Sequence, residues 1–371
     1  MILYFLLLLF VSAKKNHTFT LRISKRNNNP IASGASALAR FSSTKTNVNL
    51  KNIGNYFYQV YVSVGNGQSF LLDLDTGSAD TWVRGPACSS TDGSCSGARV
   101  NLSDTTIKPL GKSFQVTYGS GQLSANIYTT KVNIGGAAAT IPIGVSTYES
   151  GFVGNSGLVG LAYNSLSEIS STTGKNANYF DALGFSPSYQ KFSFYLSNAA
   201  NGDYGEITIG GIDSTRFKGT LQWVPVISKT YWQFDVSKVT FKAGTKVGCV
   251  GNVVRNAISD TGTTLIILYA PVADAINQGI GASPYDSSGG YYPIACSKAT
   301  SGPNIEFKFP NFTLSIPSNI YVIDLGGGNC ASGIDRGAGS FNIFGDVLTR
   351  AYYTVYDKQH SQIGFSRALH P

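Results

Sequence analysis

Asp75-Thr76-Gly77-Ser78 and Asp260-Thr261-Gly262-Thr263 are near-identical tetrapeptides lying 185 residues apart in a chain of 371. A single Asp-Thr-Gly is an ordinary turn sequence, because Asp and Gly are both turn formers. Each copy here follows an apolar strand, Phe70-Leu71-Leu72-Asp73-Leu74 in one case and Asn256-Ala257-Ile258-Ser259 in the other. Each carboxylate therefore sits where a buried strand runs into a tight loop. Two such loops facing each other hold two carboxyls in one dry cleft. Like charges a few ångströms apart cannot both ionise easily, so the pair shares a proton and combines a general base with a general acid.

The duplication extends past the loops. Leu158-Val159-Gly160 ends 85 residues after Asp75, and Ile343-Phe344-Gly345 ends 85 residues after Asp260. Strand, Asp loop, then an apolar strand ending in Gly, played twice, predicts two related halves with one carboxylate each. Within each loop the neighbours have physical tasks. Gly77 and Gly262 let the backbone approach a carboxylate and offer it an N–H, while Thr76 and Thr261 are placed to bond across the junction. Ser78 and Thr263 supply hydroxyls to the outer carboxylate oxygens, which favours ionisation of one Asp while its neighbour keeps the proton. A water between the two is then deprotonated as it attacks a peptide carbonyl. With three histidines, His17, His360 and His370, all near the chain ends, a Ser-His-Asp or zinc hydrolase is poorly supplied. No metal and no cofactor is expected.

Composition agrees with a β-rich chain of two lobes. The sequence is 42% hydrophobic and 13% charged, with 42 glycines, which favours short strands joined by tight turns over helices or disorder. Strand-like runs begin at Phe57 and recur between Gly-containing turns. The better helix candidates are 178–184, 270–279 and 346–353. The net charge of +8 belongs to residues 1–54, which carry eight basic and no acidic residues, so the remainder is balanced. Such a body lacks the basic patch that nucleic acid requires. Residues 2–11 are apolar but too short to span a bilayer and precede Val11-Ser12-Ala13, which predicts a secretory signal peptide over 1–13, without the usual basic start. Residues 14–48, basic and rich in Ser, Asn and Thr, read as a removable segment or a linker. The N-terminal lobe is expected over 49–225 and the C-terminal lobe over 226–371.

Five cysteines fit an exported protein with a few staples. Cys88 and Cys95 flank a Ser/Gly-rich loop, Cys296 and Cys330 bracket two strand-like runs, and Cys249 is left over; other pairings remain open on spacing alone. Asn16, Asn101 and Asn311 each head a glycan acceptor sequon.

Taken together, residues 53–368 resemble the pepsin-like aspartic endopeptidases, in particular those of the fungal kind. The resemblance rests on the paired loops, on Asp80-Thr81-Trp82-Val83, on Val116-Thr117-Tyr118-Gly119-Ser120-Gly121, and on Gly157-Leu158-Val159-Gly160-Leu161-Ala162-Tyr163. Gly210-Gly211-Ile212-Asp213 and Phe344-Gly345-Asp346-Val347-Leu348-Thr349-Arg350 extend it. It implies an all-β, bilobal fold of two pseudo-symmetric lobes with a few short helices, and Asp75 and Asp260 as the catalytic pair. It implies Tyr118 as the tyrosine of a flap whose tip is Gly119 and Ser120, with Trp82 packed beneath. It also implies the bridges Cys88–Cys95 and Cys296–Cys330. The family's third bridge has no counterpart, because Arg255 stands where the partner of Cys249 would be. Asp73, two residues before Asp75, puts a third carboxyl on the same strand face, as a substrate contact or as a hydrogen-bonded strand residue. Ser120 replaces the Asp by which certain fungal members accept Lys.

The implied activity is that of a monomeric acid endopeptidase acting on polypeptides, secreted or vacuolar, held as a zymogen by its own basic propeptide, with no nucleic-acid or membrane partner. A catalytically silent relative would have lost an Asp, a Gly or the flap Tyr, and all are present. A two-carboxylate glycosidase would need neither a flap nor paired Asp-Thr-Gly loops.

Overall fold

The computed structural model describes residues 45–53, 57–197, 205–243, 246–250, 254–337 and 341–370. The expected signal peptide, segment 14–44, the Asn16 sequon and the Cys249 side chain lie outside the described residues. The chain is built mostly from strands, as expected, and the described portion forms two compact units. The larger contains 45–234, the Asp260 loop (258–264) and 344–370; the smaller contains 235–257 and 265–343.

A 13-stranded sheet organises the larger unit. Its long hairpin strands alternate: in Gly121–Ile134, Leu123, Ala125 and Ile127 are buried, and after a shift of phase at Tyr128-Thr129 so are Thr130, Val132 and Ile134, each run showing the period-2 pattern of a half-covered sheet. In Ala137–Ser150 that pattern gives way to an unbroken buried stretch over 141–146. Trp82, Phe114, Leu123, Ile127, Phe152, Leu158 and Ile169 close over one another beneath this hairpin. Elsewhere in the unit, Phe192 stacks on Tyr356 at 5.0 Å, and Trp232 meets Tyr356 edge-on at 5.0 Å. The Trp232 indole N–H is satisfied by the Leu161 carbonyl at 3.0 Å.

Strand Gln68–Asp75 runs parallel to Gly157–Gly160, with Asp75 opposite Gly160. This pairing gives the 85-residue spacing a cause. A Cβ on Gly160 would lie 2.4 Å from the Ala79 carbonyl carbon, so only glycine lets the second strand reach the loop. In the other half, the Asp260 N–H donates to the Phe344 carbonyl at 3.0 Å, one residue before Gly345.

The smaller unit carries a four-stranded antiparallel sheet, a hairpin of Val322–Gly326 with Asn329–Ser332, and the parallel pair Ile266–Tyr269 and Ile334–Gly337. Helix Ala270–Ile280 packs there by Ala273, Ile276 and Ile280, with Pro271 in its first turn and Gly281 in the left-handed conformation at its end. Gly279 inside it is explained by Phe241, whose ring would stand 1.8 Å from any Cβ. Helices Tyr179–Ala182 and Asp346–Ala351 form near the other two places expected. Three further short helices, Glu168–Thr173, Lys298–Ser301 and Ser318–Tyr321, carry too few turns to show a helical period. Among the described residues, the disulfide Cys88–Cys95 lies in the larger unit and Cys296–Cys330 in the smaller.

Candidate active site

Both Asp-Thr-Gly loops belong to the larger unit and interlock there. The Thr76 N–H donates to Thr261 Oγ1 at 3.1 Å, and the Thr261 N–H returns the bond to Thr76 Oγ1 at 3.0 Å. Each hydroxyl then donates across the junction: Thr76 Oγ1 to the Ser259 carbonyl at 2.8 Å, and Thr261 Oγ1 to the Leu74 carbonyl at 2.6 Å. Every polar atom of this buried quartet has a partner, which makes the separation of the loops stiff.

The two carboxylates are dressed alike. Asp75 Oδ1 accepts the Gly77 N–H at 2.7 Å and Oδ2 accepts the Ser78 hydroxyl at 2.5 Å. Asp260 Oδ1 accepts the Gly262 N–H at 2.8 Å and Oδ2 accepts the Thr263 hydroxyl at 2.7 Å. Both Asp residues are buried. The glycines are also the surfaces on which the opposite carboxyls rest. A Cβ on Gly77 would lie 2.5 Å from Asp260 Cγ, and one on Gly262 would lie 2.4 Å from Asp75 Oδ1. Burial, then the Asp260 charge and a hydrogen bond to Asp260, hold the Asp75 carboxyl well above the usual range, opposed by Ser78 and Gly77. Asp75 thus keeps a proton that an exposed Asp would have lost.

Around the pair, several acidic and hydroxyl groups take partners that the sequence does not show. Asp73 is buried, and its Oδ2 accepts the Asn155 amide at 2.5 Å, a partner supplied by the loop before Gly157–Gly160. Asp346 is fully buried; its carboxyl is pushed well up by burial, with Arg350 opposing and the charges of Asp260, Asp73 and Asp75 adding. Its position after the apolar-Gly strand does not by itself reveal that the charges of Asp260, Asp73 and Asp75 act on it. Asp80 is a helix cap: it accepts the Ser167 hydroxyl and the N–H groups of Glu168 and Ile169 at the start of Glu168–Thr173. Ser259 and Tyr356 share a hydroxyl bond of 2.8 Å behind the Asp260 loop.

Lys108–Tyr118 and Gly121–Ile134 form the anticipated hairpin, with Tyr118 opposite Gly121 and the tip at Gly119-Ser120. The Tyr118 ring meets Phe152 edge-on at 5.5 Å, and Phe152 meets Trp82 at 5.0 Å, so Trp82 lies under the hairpin through Phe152. Burial, then the Asp80 and Asp75 charges, push the Tyr118 phenol well up, which keeps it neutral.

A carboxyl pair bridged by reciprocal threonine bonds, in a strand-rich chain, defines the aspartic class of peptide hydrolases. Residues 55–368 match the family model described as eukaryotic aspartyl protease, and the chain belongs to that family as a pepsin-type aspartic endopeptidase acting on polypeptides. It is 33% identical to pepsin A of Bos taurus over 86% of this chain and 87% of that protein. It is 31% identical to pepsin-2B of Gadus morhua over 86% of this chain and 98% of that protein.

The buried acids set a direction for stability against pH. Asp75 and Asp346 are held well above their ordinary values, and burial pushes Asp335 up to about 7. A carboxyl that keeps its proton when folded but loses it near pH ~4 when unfolded makes stability fall as pH rises through that window. Asp104 and Asp286, held low chiefly by the Asn66 N–H and the Ser288 hydroxyl, withdraw their contribution as pH falls below about 4. The melting temperature is expected to peak near pH ~4 to 5 and to decline toward pH ~8. A calorimetric series in which it climbs steadily from pH ~5 to ~8 would contradict this assignment.

Proposed function

We propose that Asp75 and Asp260 activate a water between them for attack on a peptide carbonyl, one taking the water's proton while the other protonates the developing oxyanion. The observation that carries this is the doubled dressing of the buried pair, one glycine N–H and one hydroxyl on each carboxyl. Thr76 and Thr261 fix the separation. Tyr118, Gly119 and Ser120 form a flap that closes over the bound chain, with Trp82 in the core beneath.

Asp73 is expected near the cleft, where its bond to Asn155 holds it in one orientation. Ser120, lacking a carboxylate, gives the flap no counter-charge for Lys. Digestion of a peptide library between about pH 3 and 7, with and without pepstatin, tests activity and preference together. Acid-dependent, pepstatin-sensitive cleavage between apolar or aromatic residues is expected, with Lys poorly accepted before the cut. Efficient cleavage after Lys overturns the specificity reading, and inertness across the range overturns the activity.

The fungal affinity rests on the sequence motifs alone. Secretion is supported by the two disulfides, which persist in oxidising compartments. The basic leader, by its charge, is suited to lie on the carboxylates and to leave when acid neutralises them. N-terminal sequencing before and after an acid shift should show removal of a segment ending near Phe41–Asn47; an unchanged terminus counts against a zymogen.

A further inference from the structure

The Cys88–Cys95 loop reaches the flap through two side chains that no part of the mechanism uses. Gly151 N–H donates to Asp92 Oδ2 at 2.6 Å, and Phe152 N–H donates to Ser94 Oγ at 2.9 Å. Asp92 is itself braced, since its Oδ1 accepts the Ser94 N–H at 2.9 Å. The loop is anchored at its base as well as closed by its bridge. The Arg99 guanidinium donates to the carbonyls of Pro86 at 2.8 Å, Cys88 at 3.1 Å and Cys95 at 2.9 Å. Ser94 is completely buried. The two acceptors are thus presented by a stiff platform rather than by a free surface loop.

What they hold lies directly against the flap. Gly151 adopts φ +80°, and a Cβ there would stand 1.8 Å from the Ser120 carbonyl oxygen at the flap tip. From the other side, a Cβ on Gly121 would stand 2.0 Å from the Ser150 carbonyl oxygen. Backbone thus touches backbone at this point, without side chains to cushion it. One residue on, the buried Phe152 ring is the wall against which Tyr118 rests edge-on. Gly151 and Phe152 each face the flap, and each has its N–H fixed by the disulfide loop.

We propose that Asp92 and Ser94 are positioning residues for peptide hydrolysis: by fixing the backbone at Gly151 and Phe152, they set the seat on which the Tyr118 flap closes. This rests on the reading of Tyr118 as a flap residue. Neither side chain touches the carboxyl pair in the contacts described above, so their effect on rate runs through the seat. Substrate closure needs the flap tip and the Tyr118 ring in one arrangement, and a seat that wanders spreads the flap over several. Asp92 is partly exposed, yet its carboxyl is held below the usual range by the Gly151 and Ser94 groups, with burial opposing, so it is an ionised acceptor under most conditions.

The test compares Asp92→Ala, Ser94→Ala, Asp92→Asn and Tyr118→Ala in the active enzyme, with active sites counted by tight-binding pepstatin. Asp92→Ala and Ser94→Ala are each expected to lower kcat/KM about fivefold or more per titrated site, the effect of losing one hydrogen bond. A gating defect raises KM and lowers kcat together, whereas lost folding removes titratable sites and leaves both constants alone. Asp92→Asn keeps an oxygen for the Gly151 N–H but sets its amide N–H against the Ser94 N–H, so it should recover part of the activity lost in Asp92→Ala. Faster amide exchange at Gly151 in Asp92→Ala is the accompanying signature. Parental kcat and KM in Asp92→Ala, beside a crippled Tyr118→Ala, overturn the proposal and leave the flap reading intact. A kinetically silent Tyr118→Ala overturns the flap reading, and this proposal with it.

Discussion

Asp75→Asn and Asp260→Asn are each expected to reduce peptide hydrolysis by about a thousandfold or more, while leaving the protein folded. An amide can neither take the water's proton nor return one to the oxyanion, so either substitution removes a whole role rather than weakening it. Folding should survive because Asn keeps the shape of Asp: its oxygen still accepts the Gly77 or Gly262 N–H, and its amide N–H can donate to the oxygen of the adjacent Ser78 or Thr263 hydroxyl. Burial first and the Asp260 charge second hold the Asp75 carboxyl high. Asp75→Asn removes that group and Asp260→Asn removes the second cause, so both variants are expected to lose part of the destabilisation at neutral pH. Hydrolysis of a denatured protein, with melting temperature measured at the same pH, separates the two effects. Full activity in either variant refutes the mechanism.

Arg84→Ala is expected to be among the most destabilising substitutions, costing about 3 to 5 kcal/mol, or roughly 10 °C in melting temperature. Arg84 and Glu149 are completely buried, with Nη2 and Oε2 3.0 Å apart. The guanidinium also donates to the Ser96 carbonyl at 2.5 Å and to the Asn155 carbonyl, while the Ser146 hydroxyl donates to Glu149 Oε1 at 2.5 Å. Truncation strands a buried carboxylate and leaves two carbonyls without a donor. With Arg84 gone, Glu149 avoids the cost only by taking a proton, so the loss should be larger at pH ~7 than at pH ~4. Denaturant titration at the two pH values checks this, and an equal loss at both would show that packing, not charge, dominates.

The paired loops and the hairpin around Tyr118 were legible in the sequence because each is local or repeated, whereas the two bridges followed only from the family resemblance. Asp-Thr-Gly carries its own turn chemistry, and a Gly-Ser-Gly tip between strand-like runs needs no distant information. The 85-residue echo also pointed the right way, since Gly160 pairs beside Asp75 and Phe344 meets the Asp260 N–H. What stayed hidden depends on encounters between distant segments. Asn155 holds Asp73 from 82 residues away, and Arg84 finds Glu149 across 65. Asp346 reads as a helix-start acid until burial places it among carboxyls. Sequence order also fails to show that the Asp260 loop groups with 45–234 and 344–370, a grouping made by strand pairing and by the threonine bonds.

Gly77 and Gly262 have a consequence beyond catalysis. Each is confined less by its own loop than by the carboxyl of the other copy, at 2.5 Å and 2.4 Å from where a methyl would begin. The tetrapeptides are therefore not two independent heirs of a duplication but one selectable unit. Divergence is open to the strands and surfaces on either side, and closed at the point where each half has become part of the other's steric environment.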